Sequence, residues 1–73
     1  MTRSAMPLFG ERGYTAADLQ RWLDAIDVEG PVRGITKWEE DFVAQMREKL
    51  AAGKRLSSRE VEKLEQVYAE RTS

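Results

Sequence analysis

The chain has 73 residues, with 12 Lys plus Arg against 13 Asp plus Glu, a formal net charge of −1, 41% hydrophobic and 34% charged residues. These values describe an ordinary globular domain, and the length allows a single one that buries roughly 60% of its unfolded-chain surface. Cys and His are both absent, which excludes disulfides, Cys/His zinc sites, thiol nucleophiles and every His-based triad.

Residues 1–13 show no periodicity and include Pro7, Gly10 and Gly13. They are expected to form a flexible N-terminal arm, with Leu8 and Phe9 as its points of contact with the core. The folded unit is expected over residues 14–73. Its first helix starts at Thr15-Ala16-Ala17-Asp18, a capping box in which the Thr hydroxyl and the N3 carboxylate each accept from the other's backbone N–H. Tyr14 and Leu19 flank it as a hydrophobic staple. Leu19, Trp22, Leu23 and Ile26 follow at i, i+3, i+4, i+7, one helical stripe. Glu29-Gly30-Pro31 ends the run, because Pro31 lacks an N–H and disfavours helical geometry at Gly30.

Residues 29–35 form a longer loop. Thr36-Lys37-Trp38-Glu39 is a second capping box, and Trp38, Phe42, Val43, Met46 and Leu50 line the helix it opens. Gly53 suits the left-handed position that closes that helix. After the short connection 53–56, Ser57-Ser58-Arg59-Glu60 is a third box, stapled by Leu56 and Val61. Val61, Leu64 and Tyr68 continue its stripe, with Val67 at the edge. No window alternates with period 2. The reading is an all-α, small three-helix domain with helices near 16–28, 37–52 and 58–71, the last two joined as a C-terminal αα-hairpin or helix-turn-helix corner. Its expected core is Leu19, Trp22, Leu23, Ile26, Phe42, Met46, Leu50, Leu56, Val61, Leu64 and Tyr68.

Carboxylates are the candidates for acid–base work. Asp24 and Asp27 lie three residues apart, and Glu39, Glu40 and Asp41 are contiguous. Catalysis needs such groups in a desolvated cleft that displaces their pKa values. A three-helix unit of this size is not expected to supply one, and acidic residues in a first turn answer the helix dipole. No EF-hand pattern or phosphate loop is present. The chain is expected to be non-enzymatic, with no cofactor, metal or small-molecule substrate. No apolar run approaches the roughly 18 residues of a membrane span, and the N-terminus carries no signal-peptide core. A cytoplasmic location is expected.

Charge is polarised along the chain. Residues 47–63 hold six basic groups against three acidic, whereas residues 11–41 hold four basic against eight acidic. The basic block falls at the expected corner, so a small helix-turn-helix DNA-binding protein using Lys54, Arg55, Arg59 and Lys63 is one reading. Against it, the outward face of the third helix carries Arg59, Glu62, Lys63, Gln66 and Glu70. That face sums to zero, and phosphate neutralisation supplies most non-specific affinity. The preferred reading is therefore a small protein-binding accessory or adaptor protein. Its candidate contacts are Arg21 and Asp24 on the first helix and Glu40 on the second, with Trp38 at the edge. Trp38 is expected in the core, since so small a domain needs its large side chains inside. The alternative is an exposed aromatic anchor.

Residues 35–68 carry Ile35, Thr36, Lys37, Trp38, Glu39, Phe42, Val43, Met46, Leu50, Gly53, Leu56, Ser57, Leu64, Glu65 and Tyr68 in one pattern. It resembles a helical-hairpin segment of small bacteriophage- and prophage-encoded proteins, several of them near replication or recombination functions. The resemblance implies a hairpin fold and brings no functional residue with it. Met6-Pro7-Leu8-Phe9 distantly resembles the clamp-binding peptides of bacterial replication proteins, with Ala5 where those carry glutamine. A plain hydrophobic tail is the expected reading.

Overall fold

The computed structural model describes residues 8–72. It contains three helices, α1 (Ala16–Glu29), α2 (Lys37–Ala51) and α3 (Ser58–Thr72), with no strand among the described residues. Each helix begins where its capping box places it. The Asp18 N–H donates to Thr15 Oγ1 at 3.2 Å and the Thr15 N–H to Asp18 Oδ2 at 3.0 Å. The reciprocal pair joins Thr36 and Glu39 at 3.1 and 2.9 Å, and Ser57 and Glu60 at 3.1 and 2.9 Å. Two orphan donors are thereby satisfied at each N-terminus, which fixes the start of each helix to one residue.

The helix ends differ in mechanism. After α2, Gly53 takes a φ of +73°, and the N–H groups of Lys54 and Gly53 bond the carbonyls of Lys49 and Leu50 at 2.8 and 3.1 Å. This Schellman closure turns the chain into α3 and makes the C-terminal αα-hairpin. The end of α1 departs from expectation. Gly30 stays helical, at φ −53° and ψ −51°, and its N–H still bonds the Ile26 carbonyl at 2.7 Å. The break comes one residue later, where Pro31 has no N–H for the Asp27 carbonyl. The chain then makes one further turn, closed by the Ile35 N–H on the Gly30 carbonyl at 3.0 Å.

Packing is greatest between α1 and α3, with α2 laid more lightly against both. The core consists of Phe9, Leu19, Leu23, Ile26, Val43, Met46, Leu56, Val61, Leu64 and Val67. Its register corrects the expected stripes. Val43 is buried on α2 whereas Phe42 and Leu50 are only half-buried; Val67 is buried on α3 whereas Tyr68 is half-buried. On α2 the inward stripe therefore runs Glu39, Val43, Met46. That is one residue, or about 100° of helix rotation, away from Trp38. Short branched side chains fit the point where three helices meet, and the rings lie along the flanks. Trp22 is one of these, also half-buried: it meets Tyr14 edge-on at 4.6 Å between centroids and stacks with Tyr68 at 5.6 Å.

The folded domain also starts earlier than residue 14. Phe9 and Tyr14 exchange backbone hydrogen bonds, N–H to carbonyl, at 2.7 and 2.9 Å, and Phe9 is 4% exposed. Gly10, at φ +74°, lies so close to α3 that a Cβ there would sit 2.9 Å from Val61 Cγ1. Residues 8–13, expected as part of a flexible arm, are thus a tight turn that lids the core. Phe9 is consequently not displayed as the end of a clamp-binding peptide. The rest of that tetrapeptide's N-terminal side, Met6 and Pro7, lies outside the described residues, as do residues 1–5.

Candidate functional site

Trp38 decides where the site lies. It occupies the first turn of α2 directly beside Glu39, which the capping box and Arg71 draw inward. Glu39 Oε1 accepts from the Thr36 N–H, the Thr36 hydroxyl and Arg71 Nε at 2.9–3.1 Å, and Arg71 Nη2 lies 2.9 Å away in the same ion pair. With position 39 turned into the domain, position 38 is turned out, and Trp38 is 57% exposed. The expectation that it belongs to the core is wrong for that reason. It is nonetheless held. Its ring stacks on Phe42, one turn along, with centroids 5.6 Å apart and planes 3° from parallel. The Lys63 ammonium lies over the ring, 5.0 Å from its centroid, a cation–π contact.

These side chains line an open groove of about 610 Å³ between α2 and α3, bounded by Trp38, Phe42, Arg59, Glu60, Glu62, Lys63 and Gln66. Arg59 and Lys63 are four residues apart on α3, hence one above the other on one face. Glu60 belongs to this rim only in part, because its carboxylate caps α3 and pairs with Lys49.

The expected site residues do not converge. Trp38 and Glu40 are two positions apart on α2 and point to different sides of it. Glu40 is exposed on a second groove, of about 450 Å³, between α1 and α2. Arg47 spans that groove's rim to Asp24 and Asp27. Arg21 pairs with Asp18 on its own helix, and Asp24 accepts from Gln20 at 3.0 Å as well as from Arg47. Of the basic set, Arg59 and Lys63 join Trp38 in the first groove. Lys54 and Arg55 are exposed in the connection before α3, with Arg55 facing Leu8 and Leu56. Sequence reasoning missed Phe42 and Gln66 as rim residues. The signal for Phe42 was its i, i+4 spacing from Trp38, read as core.

Three carboxylates have displaced pKa values, all downward, and all three are the N3 groups of capping boxes. Asp18 is held down by the Thr15 N–H and by Arg21. Glu60 is held down by Lys49 and by the Ser57 N–H. For Glu39 burial pushes upward, and the bonds from Thr36 and Arg71 outweigh it. These displacements are the electrostatics of helix starts. Among the described residues no group of three or more carboxylates is placed to hold a metal ion, and no helix is long and apolar enough to cross a membrane. Comparison of the chain with protein-family models, curated proteins and solved structures finds no match.

Proposed function

We propose that the protein is a non-enzymatic binding module that docks another protein through the Trp38–Phe42 face of α2 and α3. The observation that supports this reading is the exposed but immobilised indole. A domain this small gains most by burying large rings. Trp38 instead stands in solvent, stacked on Phe42 and covered by Lys63. Interface hot spots have this character: a rigid aromatic anchor with charged groups at its rim. The hairpin resemblance fits an accessory or adaptor protein of phage type, working in a bacterial cytoplasm.

A helix-turn-helix DNA-binding role through Lys54, Arg55, Arg59 and Lys63 is the second reading. It is favoured by the exposure of Lys54, Arg55 and Arg59, and opposed by Glu62, which borders the same groove. The two are separated by one pair of measurements. Bait protein and its Trp38→Ala variant, equally folded by circular dichroism, are compared in pull-downs from bacterial lysate. A partner retained by the parent and lost by the variant is the expected result. A gel-shift titration with duplex DNA should give only weak binding that disappears near physiological salt. A log–log salt slope of about −3 to −4, the value for four neutralised phosphates, with tight binding persisting above about 150 mM salt, would reverse the order.

A further inference from the structure

Apart from Arg33, the cations of the described residues fall into two groups. Arg12, Arg21, Lys37, Arg47, Lys49 and Arg71 each have a carboxylate partner. Lys54, Arg55, Arg59 and Lys63 have none among the described residues, although carboxylates outnumber cations in the chain. All four lie in one segment, the α2–α3 connection and the first half of α3, and two of them flank Trp38. With Glu60 committed to Lys49, the groove holds two cations against Glu62 alone, beside the exposed Trp38 and the half-buried Phe42. We infer that the groove's occupant is an acidic amphipathic helical segment of a partner protein, whose aliphatic side chains cover Trp38 and Phe42 while its carboxylates pair with Arg59 and Lys63. This rests on the protein-binding reading above and narrows it.

Three features fit such a partner. Arg59 and Lys63 are one helical turn apart, about 6 Å along α3, the same spacing as carboxylates at i and i+4 on a facing helix. Lys63 already approaches the indole, so its charge is fixed beside the apolar surface and loses little side-chain freedom on binding. Glu62, on the same rim, argues against a nucleic acid. A phosphate backbone is negative at every step, whereas a peptide can place a neutral or basic residue opposite Glu62.

The test uses the full chain carrying Trp22→Phe, so that emission reports Trp38 alone, and three synthetic 15-residue peptides. All three have leucine at every third and fourth position; the remaining positions are glutamate, glutamine or lysine. A single-stranded and a duplex DNA 20-mer complete the set. The glutamate peptide should bind at least about tenfold more tightly than the lysine peptide, the swing expected when two exposed ion pairs become two repulsions. Its affinity should fall as salt rises. The double variant Arg59→Glu/Lys63→Glu, with unchanged helicity, should reverse the preference between those peptides. Equal binding of all three peptides, lost with Trp38→Ala when the anisotropy of dye-labelled peptides is followed in place of tryptophan emission, would overturn the acidic partner and leave the docking face standing. Binding of none of them would overturn both the acidic partner and the docking face. Tighter binding of either DNA than of the glutamate peptide would overturn both in favour of nucleic acid.

Discussion

Arg71 Nη2 lies 2.9 Å from Glu39 Oε1, joining the last turn of α3 to the first turn of α2. The same guanidinium donates from Nη1 to the Arg33 carbonyl at 3.2 Å, so one side chain ties together both ends of the helical layer and the loop between α1 and α2. Glu39 serves this contact and its own capping box with a single oxygen. The consequence for function is indirect: the node that turns Glu39 inward is what presents Trp38 outward.

Removing Arg71 should therefore destabilise beyond a surface ion pair. Arg71→Leu leaves the carboxylate of Glu39, a residue only 8% exposed, with the bonds from Thr36 but no cation. A loss of about 1–3 kcal/mol is expected, the usual penalty for a buried group stripped of one partner. Urea unfolding at neutral pH measures it. Arg71→Leu combined with Glu39→Gln should recover part of the loss, since no charge is then left unpaired.

Stability should also fall in acid through the three box carboxylates. Asp18, Glu39 and Glu60 all have folded-state pKa values below their unfolded ones. Their bonds contribute fully above the unfolded values of about 3.9 and 4.3, and the contribution is lost as pH falls through the lower folded values. Urea midpoints between pH 7 and 3 should drop steeply below pH 5. Glu39→Gln and Glu60→Gln should each start lower and show a shallower drop. A midpoint in the parent that is flat across this range would remove the electrostatic account of the caps.

The core register gives a contrast between neighbouring classes of residue. Leu64 is fully buried and Phe42 is not. Leu64→Ala should cost about 2–5 kcal/mol, and Phe42→Ala less than that, although its side chain is larger. Thermal melts followed at 222 nm distinguish this register from one in which Phe42 points inward and becomes the costlier deletion.

Gly10 and Gly34 have nearly the same backbone, φ +74° and +77°, but different surroundings. A Cβ at Gly34 meets nothing within 4 Å, whereas at Gly10 it meets Val61. Gly34→Ala should lose only the left-handed term, about 1–2 kcal/mol. Gly10→Ala should lose more, because the turn at 9–14 must also lift from α3. Equal losses would mean that this turn does not press on the helix.

What the sequence made legible is what depends on near neighbours. The caps at Thr15, Thr36 and Ser57 and the stop at Gly53 are local chemistry, and each helix falls where they put it. The inward stripes were legible to within one position. Trp38, Phe42, Val43, Met46 and Leu50 span more than one face, and both choices contain Met46. The stripe that turns inward is the one that buries Val43 and Met46 and lets Glu39 meet Arg71, 32 residues away. Nothing in the spacing of either residue announces that pair, so Trp38 was expected inside and Glu39 at a solvated helix start. The burial of Phe9 is of the same kind, since it depends on Gly10 meeting Val61 across the chain. The candidate site was legible as two half-sites, one aromatic and one basic, which only the tertiary fold brings together.

The two tryptophans provide a direct optical check on that arrangement. Trp22 sits between Tyr14 and Tyr68 on the α1–α3 flank and is half-buried, while Trp38 is 57% exposed. In Trp22→Phe the remaining emission comes from Trp38, and in Trp38→Phe from Trp22. Acrylamide should quench the first variant markedly more than the second, and the first should emit further to the red because its ring meets water. Lys63→Ala removes the cation above the indole, so in the Trp22→Phe background it should raise quenching again while lowering the unfolding free energy by no more than an exposed contact warrants, about 0.5–1 kcal/mol. If Trp38 proved as protected as Trp22, the α2 stripe would run through position 38. The face proposed for partner binding would then not exist.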